Sequence, residues 1–304
     1  MVPRAPVAPA LAAPRAFRVH TFFPLLAAAI WGGMYVVSKW SFAELPPVAL
    51  GLARMALGGL ACWLLIWRAG RLGYAADDRG RFIRLGGVVC GTIVTQFVGT
   101  DLATAAEGAL LTTTTPAFVV LLAWLLLQEV PSLRTVGGTI LAFAGVVVVV
   151  AGQTGLEELF AGGTIWGSLL LLAAAAAWAL VTVLGKPLVA RYGALPAMTY
   201  ACLWSLPFFL PILLWEVSRR PVPLPSAGGL FAILYLGLAS TALAWYLWYK
   251  GLEALPAGVV AVFFFAQPVV GGVLAWLLLG ERLGGAFLAG GAVIASGILL
   301  AARE

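Results

Sequence analysis

One stretch of this chain occurs twice. Pro116 to Glu129 reads PAFVVLLAWLLLQE, and Pro268 to Glu281, 152 positions later, reads PVVGGVLAWLLLGE, with 8 of 14 aligned residues identical. Two unrelated leucine-rich helices would not keep Pro, LAWLLL and Glu in register by chance. The same offset carries Gly138 onto Gly290 and Gly145 onto Gly297. A second echo, AAAIWGGMYVVSK from Ala27 against AAAAWALVTVLGK from Ala174, runs at an offset of 147, so a small loop insertion separates the two registers. The chain is therefore two homologous halves, and any fold it adopts must be built from two copies of one unit.

What that unit sits in follows from its charge. With 62% hydrophobic and 10% charged residues and a mean hydropathy of +1.04, the chain has too few charges to cover a water-soluble domain of this size. A bilayer crossing takes about 20 mostly apolar residues, and lipid forces each crossing to satisfy its own backbone as a helix. Ten apolar runs meet that need, at about 22–40, 47–67, 82–100, 104–127 and 133–151, then 164–185, 195–215, 227–248, 256–279 and 284–302. The expected fold is an all-α integral membrane protein of ten transmembrane helices. Residues 1–20 read as a cytoplasmic tail, 21–152 as the first five-helix repeat, 153–163 as a linker and 164–304 as the second repeat.

Basic residues collect on the cytoplasmic side of short loops. With the N-terminus inside, only Lys39, Arg219, Arg220 and Arg282 of the 18 Lys and Arg residues fall outside, and Arg54 lies within a helix. Both termini are thus expected in the cytoplasm of a cell whose inner membrane holds the chain. Five helices per half make the second copy enter the membrane from the opposite side. Such inverted repeats are an architecture of secondary transporters, with the substrate between the copies near mid-depth. The net charge of +6 marks no nucleic-acid partner, because the basic residues form no single face.

The WG of Trp31 and WA of Trp178, the ALLTTTTP segment ending at Pro116, the VVAVFFFAQP segment ending at Pro268, and LAWLLL followed by Glu together carry a resemblance. The chain resembles the EamA-type branch of the drug/metabolite transporter superfamily over nearly its whole length. That resemblance implies ten helices with cytoplasmic ends and export of small metabolites. Within the branch the chain looks most like the aromatic amino-acid exporters.

Several residues suit a transport path. Pro116 and Pro268 deprive the carbonyls of Thr112 and Phe264 of their helical donors, so both helices should bend at matched positions, as a hinge or beside a cavity. Trp31 and Trp178 occupy equivalent places, each eight residues before a lysine, Lys39 or Lys186. Both suit a partly wet cavity or a membrane interface. Tyr35, Thr182, Thr113, Thr100 and Phe264 join them as candidate contacts. In AWYLWYKG, Trp245 and Tyr246 are expected to face the cavity and Trp248 to sit in an interfacial belt. Gln96 and Gln267 are the polar groups best suited to an amino or carboxylate group, and the nearby pair Gly87 and Gly91 reads as helix packing. Arg54 either attracts a carboxylate, pairs with Glu44, or snorkels to the interface. Asp101 is the candidate for ion coupling, and the three cysteines read as packing residues.

No constellation for catalysis, metal or phosphate binding stands out, so no cofactor and no enzymatic activity are expected. The expected partners are a small-molecule substrate, an amino acid or similar metabolite, and membrane lipid, with the chain as monomer or homodimer. The alternatives are a broad-specificity drug or lipid exporter and a non-transporting membrane scaffold or sensor.

Overall fold

Apolar runs bounded by proline, glycine and charge become helices wherever lipid offers the backbone no other partner. The computed structural model describes residues 14–70, 72–103, 105–154, 164–279 and 284–303. The first half holds α1 (Pro14–Gly32), α2 (Met34–Ser41), α3 (Pro47–Arg68), α4 (Arg79–Leu102), α5 (Ala105–Thr112), α6 (Thr115–Leu122) and α7 (Leu133–Thr154). The second holds α8 (Ile165–Tyr192), α9 (Ala194–Arg219), α10 (Ala227–Leu234), α11 (Ala244–Ala254), α12 (Ala257–Val262), α13 (Ala266–Leu279) and α14 (Gly285–Ala301). Seven helical stretches are long and apolar enough to cross a membrane, and three shorter ones, in α7, α12–α13 and α14, complete ten segments.

Local chemistry sets many of the boundaries. Pro47 occupies the first turn of α3, where its missing N–H costs nothing. Thr164 and Ser226 cap α8 and α10 by accepting the backbone N–H groups of Gly167 and Gly229. Gly193 alone separates α8 from α9, at a φ of 82° that glycine tolerates best.

Three boundaries differ from the sequence reading. Helix α1 begins at Pro14 and carries His20, inside the stretch read as tail; residues 1–13 lie outside the described residues. Helix α7 runs on to Thr154, and the rest of the linker, 155–163, also lies outside them. Helix α8 continues through Pro187 to Tyr192, because Leu188 and Val189 beyond the proline are buried and hold it against its neighbours.

The matched proline positions do interrupt their helices. Thr113 and Thr114 form a turn between α5 and α6, and Phe263–Phe265 form a 3₁₀ turn between α12 and α13. In both halves the irregular turn precedes the proline, where the carbonyls of Thr112 and Phe264 would have met its N–H. Segment eight is interrupted too, by a π-helical stretch, Tyr235–Leu243, between α10 and α11.

The inverted repeat is visible in one helix pair. A Cβ on Gly138 of α7 would lie 2.5 Å from the Gly297 carbonyl oxygen of α14, and one on Gly145 would lie 2.7 Å from the Gly290 oxygen. Gly290 is the repeat counterpart of Gly138, and Gly297 that of Gly145. Each glycine thus touches the counterpart of the other, which is the self-complementary contact a two-fold axis produces. The helices run antiparallel, backbone against backbone. Elsewhere the glycine expectation shifts by a residue. A Cβ added at Gly91 would meet nothing within 4 Å and one at Gly87 would meet only Phe208, while Gly86 sits directly against the Trp204 backbone. Leu121, Trp124, Ile140, Leu214 and Phe231 stay exposed on the outside, where lipid would cover them.

Candidate functional site

Trp31 of α1 and Trp178 of α8 are equivalent residues, and their rings meet edge to face with centroids 5.3 Å apart. Two counterparts can touch only where the pseudo-two-fold axis passes between them. Around this pair lies a narrow cavity of about 20 Å³, lined by both halves and closed down to about the room of one water, so it must widen to admit a substrate. Trp31, Met34, Arg54, Ile93, Gln96, Thr112 and Thr115 come from the first half; Ala174, Ala175, Trp178, Trp245, Phe264 and Gln267 come from the second. The rings of Trp248 and Phe264 lie tilted against Trp31, with centroids 5.4 and 5.6 Å away. Larger hollows exist at the periphery, such as one of about 420 Å³ along Cys62, Leu65, Leu238, Leu243 and Tyr246, but they lie away from the pair of equivalent tryptophans.

The two halves have diverged at this site. Applying the offset of 152, Gln96 corresponds to Trp248, Thr112 to Phe264, Thr115 to Gln267 and Ile93 to Trp245. Thus the first half supplies the hydroxyls, the charge and one amide, and the second supplies three of the four rings and the other amide. The scaffold beneath is kept nonetheless: Gln96 Nε2 donates to the Tyr35 hydroxyl at 2.9 Å, and Trp248 Nε1 donates to the Thr182 hydroxyl at 3.3 Å, Thr182 being the counterpart of Tyr35.

A directed chain of hydrogen bonds sets the Gln96 amide. The Thr112 hydroxyl donates to the Gly108 carbonyl at 2.6 Å, so the Tyr35 hydroxyl donates to Thr112, also at 2.6 Å. Tyr35 can then only accept from Gln96, whose amide nitrogen is committed to it. The Gln96 carbonyl oxygen is left for another partner.

The polar inventory elsewhere in the cavity is one-sided. Arg54 is 1% exposed and uses Nε on the Thr241 hydroxyl at 2.9 Å, Nη1 on Met34 Sδ at 3.3 Å and Nη2 on Ser240 at 3.4 Å. Its guanidinium also lies 5.3 Å over the Phe97 ring. No carboxylate pairs with it among the described residues. Three more polar atoms of the lining, Trp178 Nε1, Gln267 Nε2 and Thr115 Oγ1, are buried with no hydrogen-bond partner among the described residues.

The structure gathers Trp31, Gln96, Trp178, Trp245, Phe264 and Gln267 around the cavity and sets Tyr35 directly behind it. Other sequence expectations move. The hydroxyls of Thr100 and Thr113 turn back onto the carbonyls of Gln96 and Leu110, and Thr182 serves Trp248, so none of the three lines the cavity. Tyr246 lines the peripheral hollow beside Cys62, whereas Trp248 is fully buried rather than part of an interfacial belt. Arg54 neither snorkels nor meets Glu44, whose carboxylate is bound by the backbone and hydroxyl of Ser226. Asp101 is one-third exposed at the periphery, 3.9 Å from Arg220, and does not line the cavity. Thr112, Thr115, Met34 and Ile93 were missed. The unwound turn at Thr113 and Thr114 rotates the face on which the neighbouring threonines lie.

Both lysines clamp chain turns. Lys39 Nζ donates to the carbonyls of Thr100, Asp101 and Ala103, and Lys186 Nζ donates to that of Leu255, the counterpart of Ala103. Lys186 also forms an ion pair with Glu129, which accepts the Ala257 N–H at 2.8 Å and so ties the halves together on the side of the termini. On the same side Asp78 takes Arg191 at 2.7 Å and the Tyr192 hydroxyl at 2.5 Å. The far side is tied peripherally, by Glu44 to Ser226 and by Glu216 to the Val48 and Ala49 N–H groups.

Known proteins resemble the chain in sequence and in fold. Residues 20–151 and 165–303 each match the EamA-like transporter family. The uncharacterized transporter YetK of Bacillus subtilis is 29% identical over 90% of this chain and 84% of its own length. A protein of Salmonella typhimurium described as a probable amino-acid metabolite efflux pump is 27% identical over 93% of this chain and 94% of its own. One of Streptantibioticus cattleyicolor described as a probable terminal-alkyne amino-acid exporter is 28% identical over 92% and 95%. A crystal structure covering 93% of this chain superposes with a TM-score of 0.76 at 22% identity, which supports the fold alone.

Proposed function

The chain belongs to the EamA-like transporter family, and on that premise we propose that it exports amino acids with aromatic or hydrophobic side chains across a bacterial inner membrane. The observation that carries this reading is the cavity on the pseudo-two-fold axis, where Trp31, Trp178, Trp245 and Phe264 supply ring faces and Arg54, Gln96 and Gln267 supply polar contacts. An apolar enclosure with a few placed polar groups suits a small amphipathic ligand. The names of two relatives, both mentioning amino-acid export, point the same way.

The mechanism in this reading is alternating access. The halves rock about the shared axis, and the ties on the side of the termini, Lys186 to Glu129 and Asp78 to Arg191, must part when the cavity opens there. The interrupted helices at Pro116 and Pro268 and the π-helical stretch are the places that absorb the change. Both termini face the cytoplasm, as the distribution of basic residues favours. Counterflow in proteoliposomes loaded with labelled amino acids tests the proposal. Accumulation of phenylalanine, leucine or a similar residue supports it, and no movement of any amino acid overturns it.

A further inference from the structure

The cavity is short of negative charge. Its lining holds one guanidinium with no carboxylate beside it, and the three partnerless atoms are two N–H donors and a hydroxyl that can donate. Arg54 has five N–H donors, and its protein partners are two hydroxyls, a carbonyl and a thioether, none of them charged. Trp178, Gln267 and Thr115 are each more than nine-tenths buried, so bulk water does not serve them. Buried polar atoms are normally satisfied, and four unsatisfied or charge-unbalanced groups in one small space point to a ligand that accepts hydrogen bonds and carries negative charge.

We propose that this cavity recognises its substrate through a carboxylate seated on Arg54, with Trp178, Gln267 and Thr115 donating the remaining hydrogen bonds, and that the substrate's ammonium group is dispensable. The inference rests on the transport reading above and deepens it. A carboxylate is planar and accepts two parallel N–H bonds from a guanidinium, which a carboxamide or a bare ammonium does not. An ammonium group finds no anion among the lining residues. It meets neutral acceptors, the Gln96 and Gln267 amide oxygens and the threonine hydroxyls, and the faces of Trp31, Trp178 and Trp245, contacts that add modest affinity. The site therefore reads the acid end of its ligand by charge and the other end by shape and ring contact. Deaminated or N-acylated aromatic acids fall within its substrate class, while amino-acid amides and simple amines fall outside.

The rings beside Arg54 supply the readout. Quenching of intrinsic tryptophan fluorescence is measured on the purified full chain against phenylalanine, 3-phenylpropionate, phenylalanine amide and phenethylamine. The expected result is saturable quenching by the two carboxylates, with affinities within roughly 10-fold of each other, and binding of the amide and amine weaker by roughly 100-fold. Arg54→Gln should abolish the preference for the carboxylate over the amide, and Arg54→Lys should restore part of it. Equal binding of the amide, or no binding of either carboxylate, overturns the inference. Because the comparison of ligands uses the wild-type chain, it stands even if the Arg54 variants do not fold. Carboxylate binding without counterflow would sink the transport reading alone, and counterflow that phenylalanine amide inhibits as well as 3-phenylpropionate does would sink this inference alone.

Discussion

A buried N–H group that meets no acceptor weakens the fold by about 1–3 kcal/mol. Gln267 carries such a group at 3% exposure, beside the break in its helix. Gln267→Leu should therefore raise the unfolding temperature of the ligand-free protein while lowering the transport rate, a combination that thermal melts and counterflow check together. The reverse is expected at Thr182, whose hydroxyl accepts the indole N–H of Trp248, the ring packed behind Trp31. Thr182→Val leaves that N–H unpaired and should cost about 1–3 kcal/mol with little change in apparent KM. Large residues of the site were legible in the sequence, because tryptophan and glutamine deep in apolar runs have few other uses. The small hydroxyls were not. Thr100 and Thr113 bond to their own helix backbone, whereas Thr115, two positions beyond Thr113, faces the cavity, and only the unwound turn decides between them.

Helices that meet through glycine leave no slack. At the crossing of α7 and α14 an added Cβ on Gly145 or Gly290 would fall within 2.7 Å of a facing backbone oxygen, which cannot rotate aside. Gly145→Ala should cost about 1–3 kcal/mol as overpacking. Gly291, next to the contact, has nothing within 4 Å, and Gly291→Ala should be neutral or stabilising by about 0.5–1 kcal/mol. Denaturation of the two purified variants separates these outcomes. The spans themselves could be read from hydropathy, since length and apolarity are what lipid demands. What hydropathy does not encode is where a span stops being regular. The π-helical stretch Tyr235–Leu243 has no proline to announce it, and the position of the packing glycine, Gly86 rather than Gly91, depends on which way the neighbour Trp204 lies.

The two halves are fastened to each other at both faces of the membrane, by different chemistry. Near the termini the Lys186 and Glu129 side chains are about one-quarter exposed, so removing either partner leaves the other partly buried and uncompensated. Lys186→Met should favour opening on that side, detected as faster labelling of a cysteine placed at Ala175 of the cavity lining in a chain whose three native cysteines are replaced, and the double variant with Glu129→Leu should recover part of the thermal stability that the single one loses. On the far side, the Ser226 backbone N–H and then its hydroxyl hold the Glu44 carboxyl below its ordinary value of 4.5. A lowered value means that this fastening is complete above pH 4.5 and is lost as the pH falls through the lower, folded-state value. Melting temperatures of the wild type and Glu44→Gln should accordingly converge in acid and differ at neutral pH. The duplication was plain in the sequence, but the place of its divergence was not. The offset pairs Gln96 with Trp248, but only the fold shows that both positions sit at the site the two halves share.

The crossing of α7 and α14 has a mechanical meaning. Flexible side chains would have to find new rotamers each time the copies tilted, whereas peptide planes resting on peptide planes can swivel without resetting anything. On the alternating-access reading that pair is the axle of the molecule, and widening it by a single methyl group should slow every turnover, whatever the cargo.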